Sequence, residues 1–300
     1  MHSISDIKQA VTKGDFLLLA KAISFIENSA AGANTFLAAL VPETVPIMGI
    51  TGPPGAGKST LINAIISTWV NENKKVAVLS VDPSSPFHQG AILGDRIRMK
   101  DWYLHPQVYI RSLAARGHLG GLNSAMLSLT TLMQSAGFDH IVIETVGVGQ
   151  SEVEIASLAD TTVVVLVPEA GDEVQMMKSG LMEIANVFVV NKSDRPNAQI
   201  FTNHLKQMIA ENTLIQLAPA VVTTIATERE GITELLKAVD AHQLSIHDGL
   251  QQKEMLFNKV VQLIIASKMN GVDIEKVKLN LALESDKPNF NIFKFAQTFY

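Results

Sequence analysis

Gly52-Pro53-Pro54-Gly55-Ala56-Gly57-Lys58-Ser59 sets two glycines, a lysine and a hydroxyl at the spacing GxxxxGK[ST]. That spacing serves phosphate binding. Glycines let the backbone curl so that successive N–H groups point at phosphate oxygens, and a helix starting where the loop ends adds the positive end of its dipole. Lys58 is expected to reach the β- and γ-phosphates of a nucleotide, Ser59 to ligate Mg²⁺, and Thr60 to complete the binding set. At average residue frequencies the four fixed positions arise by chance in a chain of this length only about 1% of the time, which disfavours an incidental Gly-rich turn.

A second set, Asn191-Lys192-Ser193-Asp194, has the NKxD arrangement. A carboxylate at Asp194 can accept two hydrogen bonds from guanine, from N1–H and the exocyclic amine, a pattern adenine does not offer. GTP/GDP is therefore the expected nucleotide, with Asn191 and Lys192 in the same site. Thr224-Ile225-Ala226 is expected to lend a backbone N–H to the guanine carbonyl.

A Mg²⁺-nucleotide site also needs carboxylates near the metal and a group to orient the attacking water. Asp82 in VLSVDPSSP, Asp95 in GAILGDRIRM and Glu144 in IVIETVGVGQSE are the candidates, both as catalytic acids and as metal ligands. Glu144 ends an apolar run and is followed by Thr145-Val146-Gly147, where Gly147 is placed to feel a γ-phosphate. Arg116-Gly117-His118-Leu119-Gly120-Gly121 is a further glycine-rich stretch near the phosphates, with His118 as readily structural as catalytic. Met176, Met177 and Met182 fall at helical spacing, which core packing explains.

These residues need elements to hold them. From Val45 to Ala241 short Val/Ile-rich runs alternate with helix-period segments, the pattern of a buried parallel sheet with crossover helices. The expected strands are Pro46–Ile50, Val76–Val81, Val108–Arg111, His140–Glu144, Thr161–Val167, Val187–Val190 and Ala220–Thr224. The phosphate loop lies between the first strand and the helical run LINAIISTWV, as its motif requires. The fold class is α/β: a doubly wound, mainly parallel P-loop sheet flanked by helices. Residues 1–44 form an N-terminal helical extension broken near Gly14, 45–241 the nucleotide-binding domain, and 242–300 a C-terminal helical segment. In the last, Leu256, Val260, Leu263 and Ile264 recur at helical spacing and suit a dimerising helix.

The chain has 300 residues, 47% hydrophobic and 18% charged, with 24 Lys+Arg against 29 Asp+Glu and a net charge of -5. That excludes an open disordered chain and a generally basic nucleic-acid binder. The absence of cysteine removes disulfides and thiolate metal sites. The longest aliphatic run, Val163 to Val167, is far short of the ~20 residues that span a bilayer, and MHSISDIKQAVTKGD lacks a secretory pattern. A cytoplasmic protein without membrane attachment is expected.

Together GPPGAGKST, VDPSSPF with GAILGDRIRM, RGHLGGL, ETVGVGQSEVEIASLADTTVVVLVPEAGDEVQMMKSGLMEIA and VFVVNKSDR resemble the MeaB/ArgK family. These are the accessory GTPases of adenosylcobalamin-dependent methylmalonyl-CoA mutase. The likeness runs from about Ile7 to Ala241 and fades beyond. It implies a fold in the class of signal-recognition-particle and nickel-insertion GTPases, with Lys58, Ser59, Asp82, Asp95 and Glu144 around phosphates and metal. It further implies a switch from Val167 to Lys178, including Asp172, Gln175 and Lys178, that reports nucleotide state to the mutase. The family's GTPase gates cofactor loading, protects the mutase and forms a homodimer.

Three other readings compete. A nucleotide hydrolase or kinase of basic amino-acid (Lys/Arg/Orn) transport has no use for guanine selection by Asp194. A nickel or zinc metallochaperone would want a Cys- or His-rich ligand set. A signal-recognition GTPase would want a Met-rich helical domain, which the tail does not supply.

Overall fold

The computed structural model describes residues 3–83, 99–115, 121–145, 151–168, 180–211, 218–246, 250–269, 272, 274–284 and 292–299. All seven expected apolar runs are strands: β1 (Ile47–Thr51), β2 (Val76–Pro83), β3 (Val108–Ala115), β4 (His140–Glu144), β5 (Thr161–Leu166), β6 (Val187–Asn191) and β7 (Ala220–Thr224). They form one sheet in the order β3-β2-β4-β1-β5-β6-β7, and every pairing is parallel. β3 runs past Arg111 to Ala115, because it pairs residue for residue with β2 from Val76↔Val108 to Pro83↔Ala115. β1 starts after Pro46, which has no N–H to give; the Ile47 N–H instead meets Asp160 Oδ2 at 2.8 Å.

Alternation along each strand sends side chains to two apolar layers. On one face Met48, Ile50, Val78, Val142, Val163 and Val165 pack against α4 (Lys58–Asn71) and α9 (Ile232–Ile246). The opposite face carries α5 (Gly121–Ser135) and α6 (Ser151–Leu158) against Ile47, Leu79, Ile141 and Ile143. Farther along that face, α7 (Leu181–Ile184) and α8 (Ala198–Glu211) cover Val164, Leu166, Phe188 and Val190. Gly49 makes the central crossing possible. A Cβ there would lie 2.8 Å from Ile155 Cγ1 and 2.9 Å from Ala159 Cβ, so only glycine lets α6 sit this close to β1.

The N-terminal residues also join this core. α1 (Ile4–Thr12) opens on a capping box between Ser3 and Asp6, which satisfies its first amides. α2 (Leu17–Glu27) and α3 (Ala33–Ala38) follow, and Gly14, with φ +77°, turns the chain between α1 and α2. Ile7, Val11, Leu19, Ala22 and Ile23 are buried in the same cluster as the sheet residues. Glu27 pairs with Arg111 of β3 at 2.6 Å, and Lys8 with Glu43.

Beyond α9 come α10 (Leu250–Met269), α11 (Ile274–Glu284) and α12 (Ile292–Ala296). α10 rests on α5 and α6, and Lys259 approaches Asp160 at 4.0 Å. Among the described residues no helix is long and apolar enough to cross a membrane.

Candidate functional site

Because all strands are parallel, their C-terminal ends open onto one edge of the sheet. β1 is the middle strand; the chain leaves it toward β2 and, after β3 and β4, crosses to β5 on its other side. Such a reversal is where a doubly wound sheet binds its ligands. Gly52 to Gly57 follow β1 at this point, and the ends of β2, β4, β6 and β7 flank them.

The loop leads into α4, whose N-cap is Gly57 at φ +90° with no side-chain cap. Gly57 thus offers the first-turn amides no side chain, and the positive end of a 14-residue helix faces the loop, where an anion is favoured. Gly57 is fixed by crowding as well as by φ: a Cβ would lie 2.4 Å from Asn191 Nδ2. The Lys58 ammonium lies over its own loop, donating to Gly52 O at 2.7 Å and Pro53 O at 3.1 Å.

Ser59, 3% exposed, donates to Glu144 Oε1 at 2.7 Å; Glu144, also 3% exposed, receives Ser80 Oγ at its other oxygen at 3.3 Å. A hydroxyl and a carboxylate brought together at a phosphate-binding helix are the oxygen donors a hard divalent cation takes, so these residues fit Mg²⁺. Asp82 lies two residues beyond Ser80, the register partner of Glu144, opposite Ala114 on β3. Thr145 continues the chain from Glu144, donating its N–H to Ile50 O at 3.1 Å and its hydroxyl to Thr51 Oγ1 at 2.8 Å.

At the far end, Asn191 is a buried junction. Its amide donates to Ala56 O at 2.8 Å, and its carbonyl accepts from Thr224 Oγ1 at 3.1 Å and the Ala226 N–H at 3.2 Å. Lys192, at φ +57°, donates to Gly55 O at 2.8 Å. The NKxD turn is thereby bolted to the phosphate loop, and Asp194 projects exposed beyond it. The expected N–H donor around Thr224-Ile225-Ala226 is engaged internally: Ile225 N–H meets Glu230 O at 3.2 Å and Ala226 N–H meets Asn191. Contact with a guanine carbonyl there requires one of these bonds to be exchanged.

The structure therefore brings together Gly52 through Thr60, Glu144, Asn191, Lys192, Asp194 and Thr224 to Ala226 at one sheet edge. Asp95, Gly147, His118 and the rest of 116–120, and most of the Val167–Lys178 switch with Asp172, Gln175, Lys178, Met176 and Met177, lie outside the described residues. Met182 is core, buried with Phe188. Ser80, Thr51 and Thr145 were not anticipated. Each is one hydroxyl residue inside or beside a strand, with no local spacing to mark it.

This sheet, with a phosphate loop after its central strand and a carboxylate facing the loop's serine, defines a P-loop nucleoside triphosphatase. Residues 19–277 match the family model of the methylmalonyl-CoA mutase-associated GTPase MeaB, and the chain belongs to that family. As a member it is a GTPase, converting GTP to GDP and phosphate. The match extends past Ala241, where the motif-level likeness fades, into α11. A relative from Pyrococcus horikoshii, described by its name as a GTPase, is 40% identical over 94% of this chain and 90% of its own length. GTPase ArgK of Escherichia coli is 35% identical over 79% of this chain and 75% of its own. The crystal structure of an LAO/AO transport system kinase shares the fold, with a TM-score of 0.70 over 99% of this chain and 96% of that one at 23% identity.

Proposed function

We propose that this GTPase works with Mg²⁺ as the accessory chaperone of an adenosylcobalamin-dependent acyl-CoA mutase, methylmalonyl-CoA mutase or a relative. In this reading it gates cofactor loading and protects the mutase. The observation that carries the hydrolytic part is the buried Ser59–Glu144 hydrogen bond at the start of α4. The mutase part is supported by the family's description.

Lys58 exchanges the carbonyls of Gly52 and Pro53 for phosphate oxygens, and the loop amides bind the remainder. Mg²⁺, when bound, neutralises charge on the phosphate oxygens. Ser59, through its hydroxyl, and the Glu144, Asp82 and Asp95 carboxylates would hold the metal, and the carboxylates would orient the attacking water. Gly147 senses the γ-phosphate, and Asp194 accepts from guanine, with Asn191 and Lys192 fixing the turn that carries it. Val167 to Lys178 is the switch the mutase reads.

Homodimerisation and a cytoplasmic location belong to the same proposal. The first is supported by the side of α10 that carries Leu256, Phe257, Val260, Leu263 and Ile264, each 44–65% exposed. The test is GTP and ATP hydrolysis by the purified chain, alone and with the methylmalonyl-CoA mutase of the same source. GTP-selective turnover that rises with the mutase is expected. Turnover indifferent to the mutase would leave a GTPase and remove the chaperone role.

A further inference from the structure

Two consecutive residues at the end of β4 grip the two ends of the phosphate loop. Glu144 takes the hydroxyl of Ser59, just after the loop, at 2.7 Å; Thr145 gives its hydroxyl to Thr51, just before the loop, at 2.8 Å. Thr51 is fully buried and Thr145 is 4% exposed. Neither hydroxyl is near enough to the surface for water to replace the bond freely, so the contact is specific to this strand order, in which β4 lies beside β1. The backbone adds a second tie, Thr145 N–H to Ile50 O at 3.1 Å, which carries the parallel pairing one residue past the strand.

We infer that Thr145 is a positioning residue for GTP hydrolysis, acting through its hydroxyl on Thr51 to fix the backbone after Glu144 against the root of the phosphate loop. The inference rests on the roles proposed above for Glu144 and Gly147, between which Thr145 stands. With the bond in place, the Glu144 carboxylate and the Thr145 backbone share one frame with the phosphate loop. Without it the phosphates still bind, because the loop amides, Lys58 and Ser59 are untouched. What is lost is the alignment of groups that act only in the transition state, and such loss lowers kcat rather than raising KM.

The test compares Thr145→Val, Thr145→Ser and the double variant Thr51→Val/Thr145→Val. It reads intrinsic GTP turnover without mutase, GTP affinity and thermal unfolding. Thr145→Val keeps the β-branched shape but strands the Thr51 oxygen, so both stability and turnover fall. The double variant removes both polar groups and regains stability, since two matched apolar groups can replace a buried hydrogen bond at little cost. The expected result is a kcat down roughly ten- to hundredfold in both Val variants, the range a small misplacement costs. KM stays within about twofold of wild type, and Thr145→Ser returns turnover to near wild type. Recovery of kcat together with stability in the double variant would reduce the pair to a structural contact and overturn the inference, as would undiminished kcat in Thr145→Val. Because no mutase is present, failure here is separate from failure of the chaperone reading, which is scored by stimulation.

Discussion

Asp194 is exposed at the end of a turn whose other members are pinned, and this division of labour sets what each residue's loss should do. Asn191 and Lys192 spend their polar groups on Ala56 O and Gly55 O of the phosphate loop. Asp194, exposed beyond them, is the carboxylate proposed to meet the base. Asp194→Asn should therefore leave the fold and the phosphate contacts intact but put an N–H where guanine also presents donors. GTP affinity is expected to drop roughly tenfold or more with ATP little changed, and competition binding of the two nucleotides reads the ratio; undiminished discrimination would remove Asp194 from the base site. Asn191→Ala should act differently, stranding the buried Ala226 N–H and Thr224 hydroxyl at a cost of about 1–3 kcal/mol. A lowered thermal midpoint with weakened binding of GTP and ATP alike is the expected outcome, and loss of guanine preference alone would contradict it. The motifs carrying these residues were legible in the sequence because loop chemistry is local. Ser80, Thr51 and Thr145 were not, because their partners are set by which strands are neighbours, and no spacing records that β4 lies between β2 and β1.

The elements were legible for a related reason. A strand buried on both faces must be apolar throughout, so Val76–Val81 or Val187–Val190 could be read directly, as could the helix break near Gly14. Strand order and crowding between elements could not. Gly49 shows the gap: it reads as one small residue in IMGIT, yet it sets the approach of α6 to β1. Gly49→Ala should force Ile155 and Ala159 away and cost about 1–3 kcal/mol, measured as a shift in denaturant midpoint at constant slope. A midpoint equal to wild type would mean that α6 moves freely. His140, at the start of β4, stacks on Trp69 of α4 with ring centroids 4.0 Å apart, and burial drives its pKa from 6.5 down to about 4. The unfolded chain then binds the proton more readily than the fold does, so this residue makes stability fall as pH drops from about 6.5 toward 4. His242 of α9, lowered by burial as well, acts in the same direction. In His140→Gln the loss of stability on acidification through that window should be smaller, as followed by urea unfolding at pH 7 and pH 4.5; an identical acid dependence would show that the His140 ring is not the group responsible.

At the scale of the whole molecule, the two ends of the chain treat their apolar surface in opposite ways. α1 and α2 bury theirs against the sheet, in the cluster that holds Ile141 and Ile143. α10 uses one side on α5 and α6 and leaves Leu256, Phe257, Val260, Leu263, Ile264 and Ile265 exposed along its length. Helical spacing had marked four of these six as a dimerising face, but periodicity cannot say whether an apolar stripe meets its own chain or another. Among the described residues these side chains stay about half exposed or more. An apolar stripe is costly to leave in water, and in the proposed homodimer a second copy would cover it by an isologous contact in which each α10 shields the other. Phe257→Asp with Leu263→Asp places two charges in that contact, where each would lose its water. Sedimentation should then report a monomer, against the dimer expected of the wild-type chain. Because α10 contributes nothing to the phosphate loop or to the NKxD turn, intrinsic GTP turnover per chain should be unaltered. A wild-type chain that sediments as a monomer, or a charged variant that still sediments as a dimer, would take the stripe out of self-association.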